Sequence, residues 1–138
     1  YGVPIKLVDG GHQRRCFTFI EDGIDGLMRI LVNEAGSADG QIFNLGNPAA
    51  DLSIRELAQK LLAAVGGYPR FAELARRAKV VEVSSAEYYG ANYQDITTRV
   101  PSVRKARQCL GWEPKTGFDE GLAKTLDFYL SGRTTPEV

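Results

Sequence analysis

Two cysteines, one histidine and one tryptophan are all that the 138 residues contain of these types. Cys16 and Cys109 lie far apart in segments that read as regular structure, which suits reduced thiols rather than a disulfide framework. With His12 the sole imidazole and no C-x-x-C or H-x-x-x-H spacing, the ligands of a metal site are missing and no metal is expected. An excess of one charge is missing too: 17 Lys and Arg face 17 Asp and Glu, with a pI near 6.8. No chain-wide positive field can draw in a polyanion, so nucleic acid is not an expected partner. The longest apolar run, residues 61–65, is far short of a membrane span or a signal-peptide core. A cytoplasmic protein without membrane insertion is expected. Neither a G-x-G-x-x-G fingerprint after a strand nor a P-loop occurs, and Asp9-Gly10-Gly11 and Gly66-Gly67 read as turns. The chain opens at Tyr1 and runs almost at once into strand-like sequence, which reads as a piece of something longer.

What is present is the make-up of one ordinary folded domain, 43% hydrophobic and 25% charged, long enough to bury a core without staples. Residues 5–8 and 13–20 read as two β-stretches joined in a hairpin by the D-G-G turn. From Asp22 the spacing becomes helical, with Ile24, Leu27, Met28 and Leu31 on one stripe, and Gly36 closes the helix. Residues 41–45 read as a third strand. Ser53-Ile54-Arg55-Glu56 fits a capping box. It opens a helix whose stripe is Ile54, Leu57, Ala58, Leu61, Leu62 and Val65, ended by Gly66-Gly67.

Residues 71–78 fit either a helical turn or an irregular connection. Residues 80–83 read as a strand, and residues 84–98 as a polar, tyrosine-rich loop of the kind that carries function. Helices over 102–110 and 118–130 finish the chain, with Val103, Ala106 and Leu110 inward on one and Phe118, Leu122, Leu126 and Leu130 inward on the other. Trp112 packs between them. No repeat or linker divides residues 1–138, so one unit is expected. Alternating strands and helices favour an α/β lobe, with too few elements for a complete doubly wound domain.

The residues best suited to chemistry are cations. In the second strand the two-residue period puts Arg15 with Phe17 and Phe19 on one face and Arg14 on the other, so only one of the paired arginines can face a given site. A strand holds a guanidinium in a fixed direction, and guanidinium grips phosphate oxygens in bidentate fashion. Lys6 and Gln13 lie close by, and two cations with Gln13 would suit a diphosphate. The competing reading is a set of solvated edge charges. Tyr93 and Arg99 fall in the irregular loop, where they either cover a pocket or make surface packing and a salt bridge. His12 reads as a solvated turn residue. Tyr88-Tyr89 invites comparison with a Y-x-x-x-K pair, but Asn92 and Tyr93 stand where the lysine would be needed.

Taken together, P-I-K-L-V-D-G-G-H-Q-R-R-C-F-T-F-I-E-D-G-I (4–24), G-Q-I-F-N-L-G-N-P (40–48), S-I-R-E-L-A (53–58), Y-Q-D-I-T-T-R-V-P-S (93–102) and L-G-W-E-P-K (110–115) occur in one order. That order resembles the C-terminal part of extended short-chain dehydrogenases acting on nucleotide sugars, the NAD-dependent epimerase/dehydratase superfamily. The implied fold is α/β, the C-terminal substrate-binding lobe of such an enzyme and an incomplete Rossmann-type domain. Related epimerases carry an Arg-x-Gly-Asp-like segment in the late loop, whereas Tyr93-Gln94-Asp95 followed by Arg99 is similar to the UDP-glucuronate decarboxylases.

The resemblance implies that Lys6, Gln13, Arg15 and Tyr93 hold the UDP part of a UDP-sugar, and that Arg99 matches the arginine proposed as proton donor. A guanidinium rarely releases a proton, so positioning the carboxylate and stabilising an enolate is the physically easier task for Arg99. NAD, the Y-x-x-x-K pair and the glycine-rich loop belong to the N-terminal half of such enzymes, which is implied as a partner of this lobe together with a homo-oligomer. An epimerase or dehydratase of the same superfamily, or a non-catalytic binding module, are the alternatives.

Overall fold

The computed structural model of the chain describes residues 3–90 and 95–131. In chain order the elements are β1 (Ile5–Val8), β2 (Arg14–Cys16), α1 (Ile20–Val32), β3 (Asp51–Ser53), α2 (Ile54–Gly66), α3 (Ala72–Arg77), β4 (Val80–Val83), α4 (Ser85–Tyr89), β5 (Thr98–Arg99), α5 (Arg104–Leu110) and α6 (Phe118–Leu130). The architecture is α/β, as expected. The chain divides into two compact units, one made of Tyr1–Arg15 with Leu52–Arg99, the other of Cys16–Asp51 with Val100–Val138.

In the first unit β1 does not fold back on β2. It pairs in parallel with β4, from Ile5 opposite Val80 to Val8 opposite Val83. β2 pairs in parallel with β5 and lies between β3 and β5 in a three-stranded sheet. The expected hairpin is therefore corrected. Asp9, Gly10 and Gly11 all have positive φ, 46°, 72° and 68°, and three successive left-handed residues make a 3-10 turn that leads the chain out of the β1 ladder. Two glycines make that path accessible, since only glycine adopts it without a steric penalty.

The capping box at α2 is formed in full. The Ser53 hydroxyl accepts the Glu56 N–H at 3.1 Å, and the Ser53 N–H donates to the Glu56 carboxylate at 2.7 Å. These bonds, with Arg14 nearby, hold the Glu56 carboxyl below its ordinary value. Ile54 N–H donates to Gln13 O at 3.0 Å, which ties the helix start to the segment entering β2. The segment 71–78, open between two readings, contains α3, which packs on α2.

The second unit is organised around Val103, Ala106 and Trp112, with Phe43, Leu45 and Leu110 packed against them. Trp112 is fully buried. Its indole N–H donates to Asp22 O at 2.9 Å, and the buried Asp22 carboxylate accepts the Thr116 N–H at 2.9 Å. Asn47 continues the chain of contacts: its side-chain amide donates to Thr116 O at 3.1 Å and its backbone N–H to Thr18 Oγ1 at 3.0 Å. Residues 41–45 form no strand, a second correction. Their alternation serves packing instead, with Phe43 and Leu45 on the core and Ile42 exposed.

The expected second strand is also shorter. After Cys16 the chain leaves the ladder, and Phe17 sets its ring edge-to-face on Phe118 at 5.7 Å. α1 starts at Ile20 and ends at Val32 with Asn33 in the left-handed conformation, so Gly36 closes the following 3-10 turn rather than the helix. Gly26 on α1 is required by close packing, because a Cβ there would meet Leu45 Cδ1 at 2.7 Å. The stripe of Ile20, Ile24, Leu27, Met28 and Leu31 is between 49% and 76% exposed.

Ser53→Ala is expected to lower the unfolding free energy by about 1 kcal/mol, measured by denaturant melts. Because the folded-state carboxyl of Glu56 is depressed, its stabilising contribution is present above the unfolded value and disappears as pH falls through the folded one. The difference between wild type and Ser53→Ala should therefore shrink in acid, below the usual carboxylate range.

Candidate functional site

The candidate site lies wholly in the first unit. β1 contributes Lys6 and Val8, the approach to β2 contributes Gln13, β2 itself contributes Arg15, and α2 contributes Ile54. Together with Tyr88, Tyr89 and Asp95 these line an open cavity of about 310 Å³. That volume is at the lower end of the roughly 300–1,000 Å³ typical of small-ligand sites.

Each polar group is held by contacts of its own. The Gln13 side-chain amide donates to Val8 O at 3.2 Å, which fixes it beside the end of β1. Arg15 donates through Nη1 to the carbonyls of Arg14 and Ile96, at 2.7 and 2.9 Å, and through Nη2 to the Asp95 carboxylate at 2.6 Å. Both side chains of that ion pair are mostly shielded from solvent, where charge-assisted bonds are stronger than at an open surface. Arg14, on the opposite face, turns to Glu56 at 3.4 Å, as the strand period requires. Lys6 holds its ammonium 5.6 Å from the centre of the Tyr88 ring, within cation–π range.

The two tyrosines stand on α4, a five-residue helix held at its start from two directions. The Ser84 hydroxyl accepts the Glu87 N–H at 3.1 Å, and the Asp9 carboxylate accepts the Ser85 N–H at 2.8 Å. Tyr88 and Tyr89 meet edge to face at 4.7 Å between ring centres. The D-G-G turn thus has a second effect: its aspartate anchors the helix that carries the aromatic wall. Arg55 bridges the same turn to β4, donating to Gly10 O at 2.9 Å and pairing with Glu82.

Of the residues singled out in the sequence, Lys6, Gln13 and Arg15 come together in this cavity. Lys6 reaches it from a strand paired with β4 rather than with β2. Arg99 is exposed and is not among the residues lining the cavity, although the β2–β5 register places it directly opposite Arg15. Tyr93 lies outside the described residues. His12 is exposed. Sequence reasoning missed Asp95, Tyr88 and Tyr89 as site residues. Their place in the long polar segment and, for Asp95, the Y-Q-D motif were the signals, but no period marks a residue that acts through one neighbour.

Two cations and one carboxylate around an aromatic wall suit an anionic ligand that also carries a ring. No cluster of three or more His, Cys, Asp and Glu able to hold a metal occurs among the described residues. Among the described residues, neither glycine pair fits a dinucleotide. Gly10 and Gly11 lead into a strand, and a Cβ on them would meet His12 and Arg55; Gly66 and Gly67 end a helix rather than open one. Neither pair makes the glycine-lined helix start that receives a pyrophosphate.

The described fold is that of a partial Rossmann-like piece, of the kind found in extended short-chain dehydrogenases acting on nucleotide sugars. A family model for GDP-mannose 4,6 dehydratase matches residues 4–125, and the chain belongs to that family, within the NAD-dependent epimerase/dehydratase superfamily.

Among solved structures, the chain is similar to the PbgP3 protein from Burkholderia pseudomallei, with 40% identity and a TM-score of 0.82 over 95% of this chain and 35% of that one. It is similar to the epimerase Mth375 from Methanothermobacter thermautotrophicus, with 27% identity and a TM-score of 0.71 over 94% of this chain and 34% of that one. A UDP-glucuronic acid 4-epimerase from Bacillus cereus, solved with UDP-glucuronic acid and NAD, shares the fold at 21% identity and a TM-score of 0.73, over 94% of this chain and 36% of that one. The chain therefore spans about a third of the length of these proteins.

Ser84→Ala removes the cap of α4. The amides of residues 86–89 are expected to exchange hydrogen several-fold faster, with those of α2 unchanged, and the unfolding free energy should fall by about 0.5–2 kcal/mol. Unchanged exchange across 86–89 would show that the helix is held without its cap.

Proposed function

We propose that this chain is the substrate-binding part of an NAD-dependent UDP-glucuronate decarboxylase, in which oxidation at C4 and decarboxylation yield a UDP-4-keto-pentose. The observation that carries this reading is the meeting of Lys6, Gln13 and Arg15 in one cavity with an aromatic wall. In this reading Lys6, Gln13 and Arg15 hold the UDP part, Tyr93 contacts it, and Arg99 positions the sugar carboxylate and stabilises negative charge as the carboxylate leaves. Residues 1–138 act as a single nucleotide-sugar-binding lobe of a cytoplasmic homo-oligomer.

NAD, the hydride acceptor, is bound by an N-terminal Rossmann portion of the same protein. The exposed apolar stripe of α1 supports such a neighbour, because folded proteins rarely leave five large apolar side chains of one helix open to water. The sequence motifs resemble in particular the dehydrogenase/decarboxylase domain of the bifunctional polymyxin-resistance protein, and in this reading the reaction belongs to the synthesis of 4-amino-4-deoxy-L-arabinose for lipid A. A second reading, an epimerase or dehydratase acting on a nucleotide sugar, is favoured by the family description and by the likeness to an epimerase at 27% identity.

Titration of the intact polypeptide with UDP is expected to show binding that weakens at least tenfold in Arg15→Ala, the loss of a charge-assisted contact worth about 1.5–3 kcal/mol. Mass spectrometry of the product from UDP-glucuronate should show the loss of CO2. A product that keeps its carboxyl group would favour the epimerase or dehydratase, and UDP binding indifferent to Arg15 would remove the nucleotide-sugar reading altogether. Residues 1–138 alone are expected to form no NADH from UDP-glucuronate and NAD.

A further inference from the structure

We propose that Asp95 is a positioning residue for Arg15, presetting its guanidinium to receive the phosphates of a nucleoside diphosphate; this rests on the nucleotide-sugar reading of the cavity. Two roles are open to a carboxylate 2.6 Å from a phosphate-binding arginine. It can occupy the place of the ligand and compete with it, or it can hold the arginine for the ligand. The donor count decides between them. A guanidinium has five N–H donors. Among the described residues, Nη1 uses two on the carbonyls of Arg14 and Ile96, and Nη2 uses one on Asp95. One donor on Nε and one on Nη2 remain, so the ion pair and a phosphate can be held together.

Three anchors from two segments, the Arg14 carbonyl on β2 and Ile96 and Asp95 from the segment that enters β5, leave the planar fork a single orientation. Arg15 and Asp95 are only 24% and 21% exposed at their side chains, which keeps water from replacing the contact cheaply. The ordering of a long side chain is then completed before the ligand arrives, and binding does not bear that cost. Lys6 lacks such a partner: its contact among the described residues is the Tyr88 ring. The two cations therefore differ in kind, one a fixed fork and the other an adjustable point charge.

The proposal and simple electrostatics predict opposite signs. Asp95→Asn removes a negative charge from beside Arg15, in a cavity that Lys6 also lines, so charge alone would tighten binding of an anion. Loss of positioning weakens it. UDP and uridine are titrated against wild type, Asp95→Asn, Asp95→Glu and Arg15→Ala in the intact polypeptide, with thermal melts of each. Asp95→Asn is expected to weaken UDP about tenfold, the loss of one charged hydrogen bond, while uridine affinity stays within twofold, and Asp95→Glu should recover part of the loss.

Tighter or unchanged UDP binding in Asp95→Asn would overturn the proposal, and so would equal losses for UDP and uridine, which would mark a folding effect. UDP affinity lost in Arg15→Ala but kept in Asp95→Asn would sink this proposal alone. UDP affinity unaffected by Arg15→Ala would sink the reading of the cavity and this proposal with it.

Discussion

Parallel strand pairing between distant segments is the constraint on which the site depends. β1 is matched to β4 and β2 to β5, and a parallel pair cannot be closed by a tight turn, so each needs a long crossover. Lys6 reaches the aromatic wall only because β1 and β4 share a ladder that delivers α4 beside it. Arg15 meets Asp95 and Ile96 only because β2 and β5 run together. The cations of the first fifteen residues and their partners Tyr88, Asp95 and Ile96 are thus brought together by two backbone ladders. The side-chain contacts refine a meeting that the two ladders have already imposed.

The second unit solves a different problem. Its small apolar core is supplemented by a buried polar chain in which Asp22 is the centre: its backbone carbonyl receives the Trp112 indole and its carboxylate the Thr116 amide, with Asn47 bound to Thr116 and Thr18. Each buried polar group in that chain has a partner, the condition under which burial of polar groups stabilises rather than costs. This explains why G-N-P and G-W-E-P-K, which look like plain turns, are folded into one interior. The same unit leaves the apolar stripe of α1 open, so its internal order and its outward face serve separate ends.

Local signals were legible wherever a residue's partner lies a few positions away. The Ser53–Glu56 box, the strand Val80–Val83 and the helix Phe118–Leu130 could be read directly, because caps and periods are short-range properties. The α/β class and the separation of Arg14 from Arg15 followed from the same periods. The D-G-G hairpin failed because turn residues show that the chain bends and not which edge it then joins. Residues 41–45 failed for a related reason, since alternation records two-sided surroundings, and a strand also needs a neighbour. Tyr88, Tyr89 and Asp95 were invisible as site residues because their importance lies in contacts with Lys6 and Arg15, far away along the chain.

The sequence by itself determined the composition of the site's polar side: a lysine, a glutamine and one inward arginine within ten residues, on either side of a D-G-G turn. It also determined the class of fold, through the alternation of two kinds of period, and the family, through motifs kept in order. Only the tertiary structure decided which ladder each strand entered, that a carboxylate from the late loop would grip Arg15, and that the α1 stripe would stay exposed. The physical reason is range: propensity, capping and periodicity act over a few residues, whereas strand partners and ion pairs are chosen by the whole chain competing for the same edges and charges.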